Sequence, residues 1–179
     1  MKAPERIQTD RLVLRKPTLA DAEAVFSRYA SDPLVTKFMS WPRHLSINDT
    51  LAFLAFSNAE WEKWPAGPYL IESGDGRRLL GSTGFGFENP TLAETGYVLA
   101  VDAWGRGYAT EALNAVVTVA REVGVRRLHA HYHPENVRSV RVLQKCGFTE
   151  DSLARRIVWF PNLDSDQAVE CPDYHRTFE

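Results

Sequence analysis

Apolar positions recur along this chain with two different periods. Arg11–Arg15 (RLVLR) sets Leu12 and Leu14 two apart against charged neighbours, the pattern of a half-buried strand, and Pro17 closes it. Thr18 followed by Asp21 reads as a helix N-cap with a carboxylate in the first turn. Ala22, Val25, Phe26 and Tyr29 follow at helical spacing, and Asp32-Pro33 ends the helix. Ser46-Ile47-Asn48-Asp49 opens a second helix whose face is mapped by Leu51, Leu54, Ala55, Asn58, Trp61 and Glu62, with Trp64-Pro65 as its stop. Between these helices Val35–Leu45 is expected as a loop carrying Phe38, Met39 and Trp41, either packed down on the fold or lining a binding cleft.

Strand-like runs come next: Tyr69–Glu72, Leu79–Phe87 and Thr95–Val101, separated by Ser73-Gly74-Asp75-Gly76 and by Glu88-Asn89-Pro90 as turns. Gly81, Gly84 and Gly86 inside the middle strand suggest a bulge or a close approach. Thr110–Val123 is a long helix capped by Gly124. Arg127–Tyr132 reads as a strand, Asn136–Lys145 as a helix, Ile157–Phe160 as a strand, and Val169 with the aromatic tail as another. A strand meander followed by strand–helix–strand–helix–strand predicts a mixed sheet with helices on its faces, of the α/β or α+β class.

The chain has 179 residues, which sets an expectation of a single domain, 1–179. Its net charge of −2 argues against a dedicated nucleic-acid or anionic-membrane binder. Cys146 and Cys171 make neither a disulfide framework nor a metal motif. With no long apolar run and a polar start at Met1–Asp10, a cytoplasmic protein is expected.

The strongest chemical signal is Trp104–Glu111 (WGRGYATE), between a strand and a helix. Gly105 and Gly107 let the backbone turn tightly, so that successive N–H groups at a helix N-terminus form an anion site; a plain glycine cap is the alternative. No Gly-Lys-Ser/Thr follows, which excludes Walker A, and Thr110 stands where a dinucleotide fingerprint needs its third glycine. Further along, Pro134–Phe148 (PENVRSVRVLQKCGF) places Asn136 at a helix start and Ser139 one turn on.

Gly105–Leu113 together with Asn136-x-x-Ser139-x-x-x-Leu143-x-x-x-Gly147-Phe148 resembles the GNAT superfamily of acyl-CoA-dependent N-acyltransferases. Thr9-Asp10-Arg11-Leu12-x-Leu14-Arg15, with Phe38 and Trp41-Pro42 in the first loop, is similar to the branch that acetylates ribosomal-protein N-termini. The resemblance implies a splayed central sheet in which Glu94–Val101 parts from Arg127–Tyr132, with acetyl-CoA in the opening. It assigns the pyrophosphate to the amides of Gly105, Arg106, Gly107, Tyr108 and Ala109, with Thr110 nearby, and departs from the family at Trp104, where Gln or Arg is usual. Val98 and Ala100 would border the cofactor, and Asn136 would meet the pantetheine arm.

The resemblance further implies that Glu94 is the general base, the alternative being an exposed strand carboxylate, and that the Val98 N–H polarises the thioester carbonyl. Many relatives carry a tyrosine general acid where this chain has Leu143, so Ser139 becomes the candidate to stabilise the departing thiolate. The amine acceptor, a peptide N-terminus or a small amine, would meet Phe38, Trp41 and His44, in a monomer or a homodimer with no metal.

Other features carry less. His129, His131 and His133 alternate, as metal ligands could, but have no acidic or cysteine partner at useful spacing in the sequence. Cys146 reads as a small buried hydrophobe, and Arg126-Arg127 and Arg155-Arg156 as solvated pairs. Asp164, Asp166, Glu170 and Asp173 suggest an acidic rim for a cationic acceptor. Two rival readings stay open: a non-catalytic acyl-CoA-binding module and a nucleotide-binding oxidoreductase fragment.

Overall fold

A computed structural model describes residues 1–163 and 167–179. Among the described residues the chain forms eight strands: β1 (Arg6–Gln8), β2 (Leu12–Arg15), β3 (Tyr69–Ser73), β4 (Leu79–Asn89), β5 (Leu92–Leu99), β6 (Arg127–His131), β7 (Thr149–Val158) and β8 (Val169–Thr177). They join in one sheet of order β1-β2-β3-β4-β5-β6-β8-β7, antiparallel except where β5 meets β6. Five helices flank it: α1 (Ala22–Val25), α2 (Pro33–Thr36), α3 (Ile47–Lys63), α4 (Tyr108–Glu122) and α5 (Val137–Lys145). No described helix is long and apolar enough to cross a membrane.

Successive side chains of a strand point to opposite faces, and here both faces are covered. Tyr69, Ile71, Leu80 and Leu99 pack with Leu113, Val116 and Ala120 of α4. Their neighbours Leu70, Leu79 and Val98 pack on the other side with Val25 and Tyr29 and with Leu54 of α3. This double cover corrects the half-buried reading of β2, because Val13 is as buried as Leu12 and Leu14. The buried stripe of α3 is Thr50, Leu54, Ser57 and Trp61, so Ala55 and Glu62, expected on that face, point to solvent.

The first helix starts where expected, with Thr18 and Asp21 forming a reciprocal cap. It then widens: Ser31 N–H donates to the Phe26 carbonyl at 3.2 Å. Asp32 opens a new helix as well as ending the old one, since its Oδ1 accepts the Leu34 N–H at 2.8 Å, so part of the expected loop is α2. β5 begins at Leu92, earlier than Thr95, and β7 begins at Thr149, earlier than Ile157. The Gly81 expectation of a close approach holds, because a Cβ there would lie 1.9 Å from the Val98 carbonyl oxygen.

The feature that positions the site is the short β5–β6 pairing. Leu92, Ala93 and Glu94 pair with Arg127, Leu128 and His129, and beyond them the described strands no longer pair. The sheet therefore opens into a V, as the family resemblance implies.

Candidate active site

The V is a cleft of about 520 Å³. Its walls include Phe38, Trp41, Glu94, Val98, Asn136 and Ser139, six residues nominated from sequence. Strand alternation divides its chemistry between the two faces of the sheet. Glu94 and its register partner His129 project towards the α1–α3 face, together with His131. Tyr97, like Leu99, projects towards the α4–α5 face, where Ser139 lies on α5.

On the first face, Glu94 Oε1 sits 2.5 Å from His131 Nδ1. Burial disfavours the charged form of Glu94, but the close approach and charge of His131, with the charges of His129 and Arg156, outweigh it and hold its pKa below the usual carboxylate value. Behind this pair, His129 is only 1% exposed; its Nε2 is 2.8 Å from Glu88 Oε1 and its Nδ1 3.6 Å from Asp173 Oδ1. His133 stacks on Phe38 and meets Phe160 edge-on. The three alternating histidines thus have three different sets of partners.

The same network corrects two expectations. Arg127 is 2.9 Å from Asp151, Arg156 Nε is 3.2 Å from Asp173, and Arg155 is within 3.4 Å of Glu150, so these arginines are ion-paired, not simply solvated. Asp173 is buried between Arg127 and Arg156, not on a rim, because antiparallel pairing of β8 with β6 and β7 carries it inward. Asp164 and Asp166 lie outside the described residues.

On the second face, the Tyr97 hydroxyl lies 2.9 Å from Ser139 Oγ and 3.2 Å from the Ser139 carbonyl. Burial pushes the Tyr97 phenol up to about 12, against the hydrogen bond with Ser139, so it stays protonated. Leu143, one turn beyond Ser139, is buried in the cleft wall. Cys146 behaves as the expected small hydrophobe: burial pushes its thiol up to about 11.

The Val98 expectation is corrected by the ladder. Ala100 N–H donates to the Leu80 carbonyl at 2.8 Å, and the register pairs Leu99 with Gly81 and Val98 with Ser82. Closed pairs alternate along an antiparallel ladder, so the N–H of Val98 also points at β4. The N–H groups turned towards the parted side are those of Tyr97 and Leu99. Ala100 is likewise removed from the cofactor side, its amide spent on Leu80 and its side chain packed in the α1–α3 core.

Gly105 and Gly107 adopt φ of 72° and 78°, the left-handed conformation that glycine takes without strain. Among the described residues, no backbone N–H from Gly105 to Thr110 donates to another protein group. These amides form an anion cradle at the start of α4. Trp104 shapes its entry by donating its indole N–H to the Leu99 carbonyl at 2.8 Å. The N-terminal motif braces it from the side: Arg11 Nη1 donates to the Arg106 carbonyl at 2.8 Å, while Thr9 Oγ1 and Arg11 N–H both donate to Glu111 Oε1. Asn136 stands at the start of α5, and its side chain makes no capping bond.

The loop that carries Phe38 and Trp41 is held by a residue that sequence reading did not single out. Asn162 Nδ2 donates to the Thr36 and Trp41 carbonyls, and Arg43 N–H donates to Asn162 Oδ1 at 2.7 Å. His44 lines a second cavity that adjoins the cleft, with its Nδ1 2.8 Å from Thr50 Oγ1. Burial, against the attraction of Asp49, lowers its pKa and favours the neutral ring.

The profile of the acetyltransferase (GNAT) domain family matches residues 11–149, the stretch from β2 to the start of β7. The chain belongs to this family. An uncharacterized N-acetyltransferase, p20, of Bacillus licheniformis is 30% identical over 84% of this chain and 86% of its own. A GNAT-family acetyltransferase of Bacillus anthracis has the same fold at TM-score 0.80, with 25% identity over 96% of this chain and 98% of the other. RimL, the ribosomal L7/L12 α-N-protein acetyltransferase solved with coenzyme A, shares the fold at TM-score 0.80 with 19% identity, covering 96% of each chain.

This GNAT acetyltransferase therefore draws its acetyl group from acetyl-CoA. His131, Tyr97, Asn162 and the Arg11–Glu111 brace join the nominated residues around its cleft. A signal for His131 was available in the sequence, since it alternates with His129 on the strand facing Glu94. Tyr97 had none beyond its position in a strand, because its partner Ser139 is 42 residues away.

Proposed function

We propose that this acetyltransferase moves acetyl from acetyl-CoA to a primary amine, a peptide N-terminus or a small amine, by direct attack with both substrates bound. The observation that carries the reading is the division of the split sheet, with the Glu94–His131 pair on one face and the Tyr97–Ser139 hydroxyls on the other. An amine entering from the α1–α3 face and a sulfur leaving on the α4–α5 face can meet in the opening between them.

The amides of Gly105, Arg106, Gly107, Tyr108 and Ala109, with Thr110 beside them, hold the pyrophosphate, and the free Asn136 side chain takes the pantetheine arm. An α-amine is protonated below about 8 and an alkylamine below about 10, so attack needs a base. Glu94, held below the ordinary carboxylate range, matches that task poorly alone. Its carboxylate instead fixes His131 by Nδ1 and leaves Nε2 to take the amine's proton. The N–H of Tyr97 or Leu99 stabilises charge on the carbonyl oxygen.

The C–N bond forms as the C–S bond breaks. A thiol is acidic enough, near 8.5 in the free side chain, that the departing sulfur needs a hydrogen bond more than a full proton transfer. Ser139, backed by Tyr97, supplies it. The test is thiol release from acetyl-CoA across primary amines and peptides, with the acetylated product identified by mass. Release that requires a primary amine is expected. Release no faster than hydrolysis with every amine, while acetyl-CoA still binds, would overturn the proposal.

A further inference from the structure

The second cavity, about 420 Å³, shares Trp41, Phe53 and Ser82 with the cleft, so a group seated in it can extend to the Glu94–His131 pair. Its walls are aromatic. Trp41 and His44 have ring centroids 5.4 Å apart, and His44 and Phe53 6.2 Å apart, tilted by 51° in both pairs. Surfaces of this kind favour a flat ring in an offset or edge-on arrangement.

Deeper in the same wall stands Tyr29, 1% exposed, whose hydroxyl has no hydrogen-bond partner. Ser82 stands close enough to perturb that hydroxyl but does not complete a bond with it. Buried hydroxyls are normally paired, so this one is available to a ligand atom.

The charges in the wall argue against a polycation. Asp49 is its acid, and Oδ2 of that carboxylate already accepts from the Leu45 and Ser46 amides and the Ser46 hydroxyl. Arg43 lines the cavity as a cation without an ion-pair partner among the described residues. Linear polyamines and aminoglycosides carry several positive charges and need several carboxylates.

We infer that this cavity seats the side group of the acceptor, and that the group is an aromatic or heteroaromatic ring with one polar atom paired to the Tyr29 hydroxyl. The inference rests on the acetyl-transfer reading and narrows its substrate class.

The experiment compares kcat/KM at saturating acetyl-CoA for tyramine, phenethylamine, isoamylamine and spermidine, and for tripeptides beginning with Tyr or Ala. Ring-bearing amines should exceed isoamylamine and spermidine by about tenfold or more, the worth of roughly one good contact. The peptide pair shows whether the ring arrives on a protein N-terminus or on a free amine. In Tyr29→Phe the ratio of tyramine to phenethylamine should fall about tenfold. The ratio is independent of how much enzyme is folded. Trp41→Ala should raise KM for the ring-bearing amines more than for isoamylamine. Efficient acetylation of spermidine or isoamylamine with weak use of ring-bearing amines, or a ratio unmoved in Tyr29→Phe, overturns the inference and leaves acetyl transfer standing. Acetylation of no amine at all overturns both.

Discussion

At the N-terminus of α4, the six consecutive residues Gly105–Thr110 offer backbone amides without protein partners among the described residues. In the second cavity, the proposed acceptor end, Tyr29, Trp41, Phe53 and Ser82 come from four separate segments and offer side chains that are particular to this chain. On the proposed reading, the first end meets a feature common to every acyl-CoA, its phosphates. The second reads whatever distinguishes one amine from another. A local backbone device and a long-range side-chain device therefore divide the work, and they can be perturbed separately.

The backbone end is tested through cofactor affinity. Gly107→Val forces a β-branched residue into a φ of 78°, within reach of the Arg11 guanidinium 3.4 Å from the new Cβ. Acetyl-CoA affinity, measured by calorimetry, should fall by two orders of magnitude or more (about 2.7 kcal/mol) with the far-ultraviolet circular dichroism preserved. Unchanged affinity would remove the loop from phosphate binding.

Next come the residues between the two ends. His131→Gln and Glu94→Gln should each lower kcat by about 10²–10⁴-fold, with small changes in acetyl-CoA affinity. The pH profile separates their roles. A base works only when unprotonated, so activity is lost as pH falls through its pKa. Glu94 acting alone, held below its usual value, would keep the profile flat to below about 4.5. An acid limb of the unmutated enzyme's profile that disappears in His131→Gln supports the paired arrangement, and a limb that persists unchanged in that variant refutes it.

The smallest effect belongs to the leaving-group side. Ser139→Ala should lower kcat by about 10²-fold and leave acetyl-CoA affinity within a few-fold, and Tyr97→Phe should cost about tenfold, since it acts through Ser139. Normal rates in both variants would take the hydroxyl pair out of the reaction.

The contrast between the two ends also explains how much the sequence disclosed. Gly105, Gly107 and the helix that follows are contiguous, so the turn chemistry was legible from spacing, whereas the branching of the sheet came from the family resemblance. Glu94, Asn136 and Ser139 were placed on the cleft by motif order alone. The offset from Val98 to Tyr97 and Leu99 was not legible, because the direction of a strand N–H depends on the partner strand and on the Leu80–Ala100 pair that sets the register. Arg127, Arg156 and Asp173 were misread for the same reason: nothing within a strand says which residue of β8 will stand beside β6 and β7. Tyr29 was placed at helical spacing with Ala22, Val25 and Phe26, but its unpaired hydroxyl depends on a cavity closed by residues up to 53 positions away.

Simultaneous occupation of the two ends is the central claim, and initial-rate kinetics over a grid of acetyl-CoA and amine concentrations tests it most directly. Direct transfer between two bound substrates predicts reciprocal plots that intersect. Parallel lines, the sign of an acetylated enzyme formed before the amine binds, would contradict it.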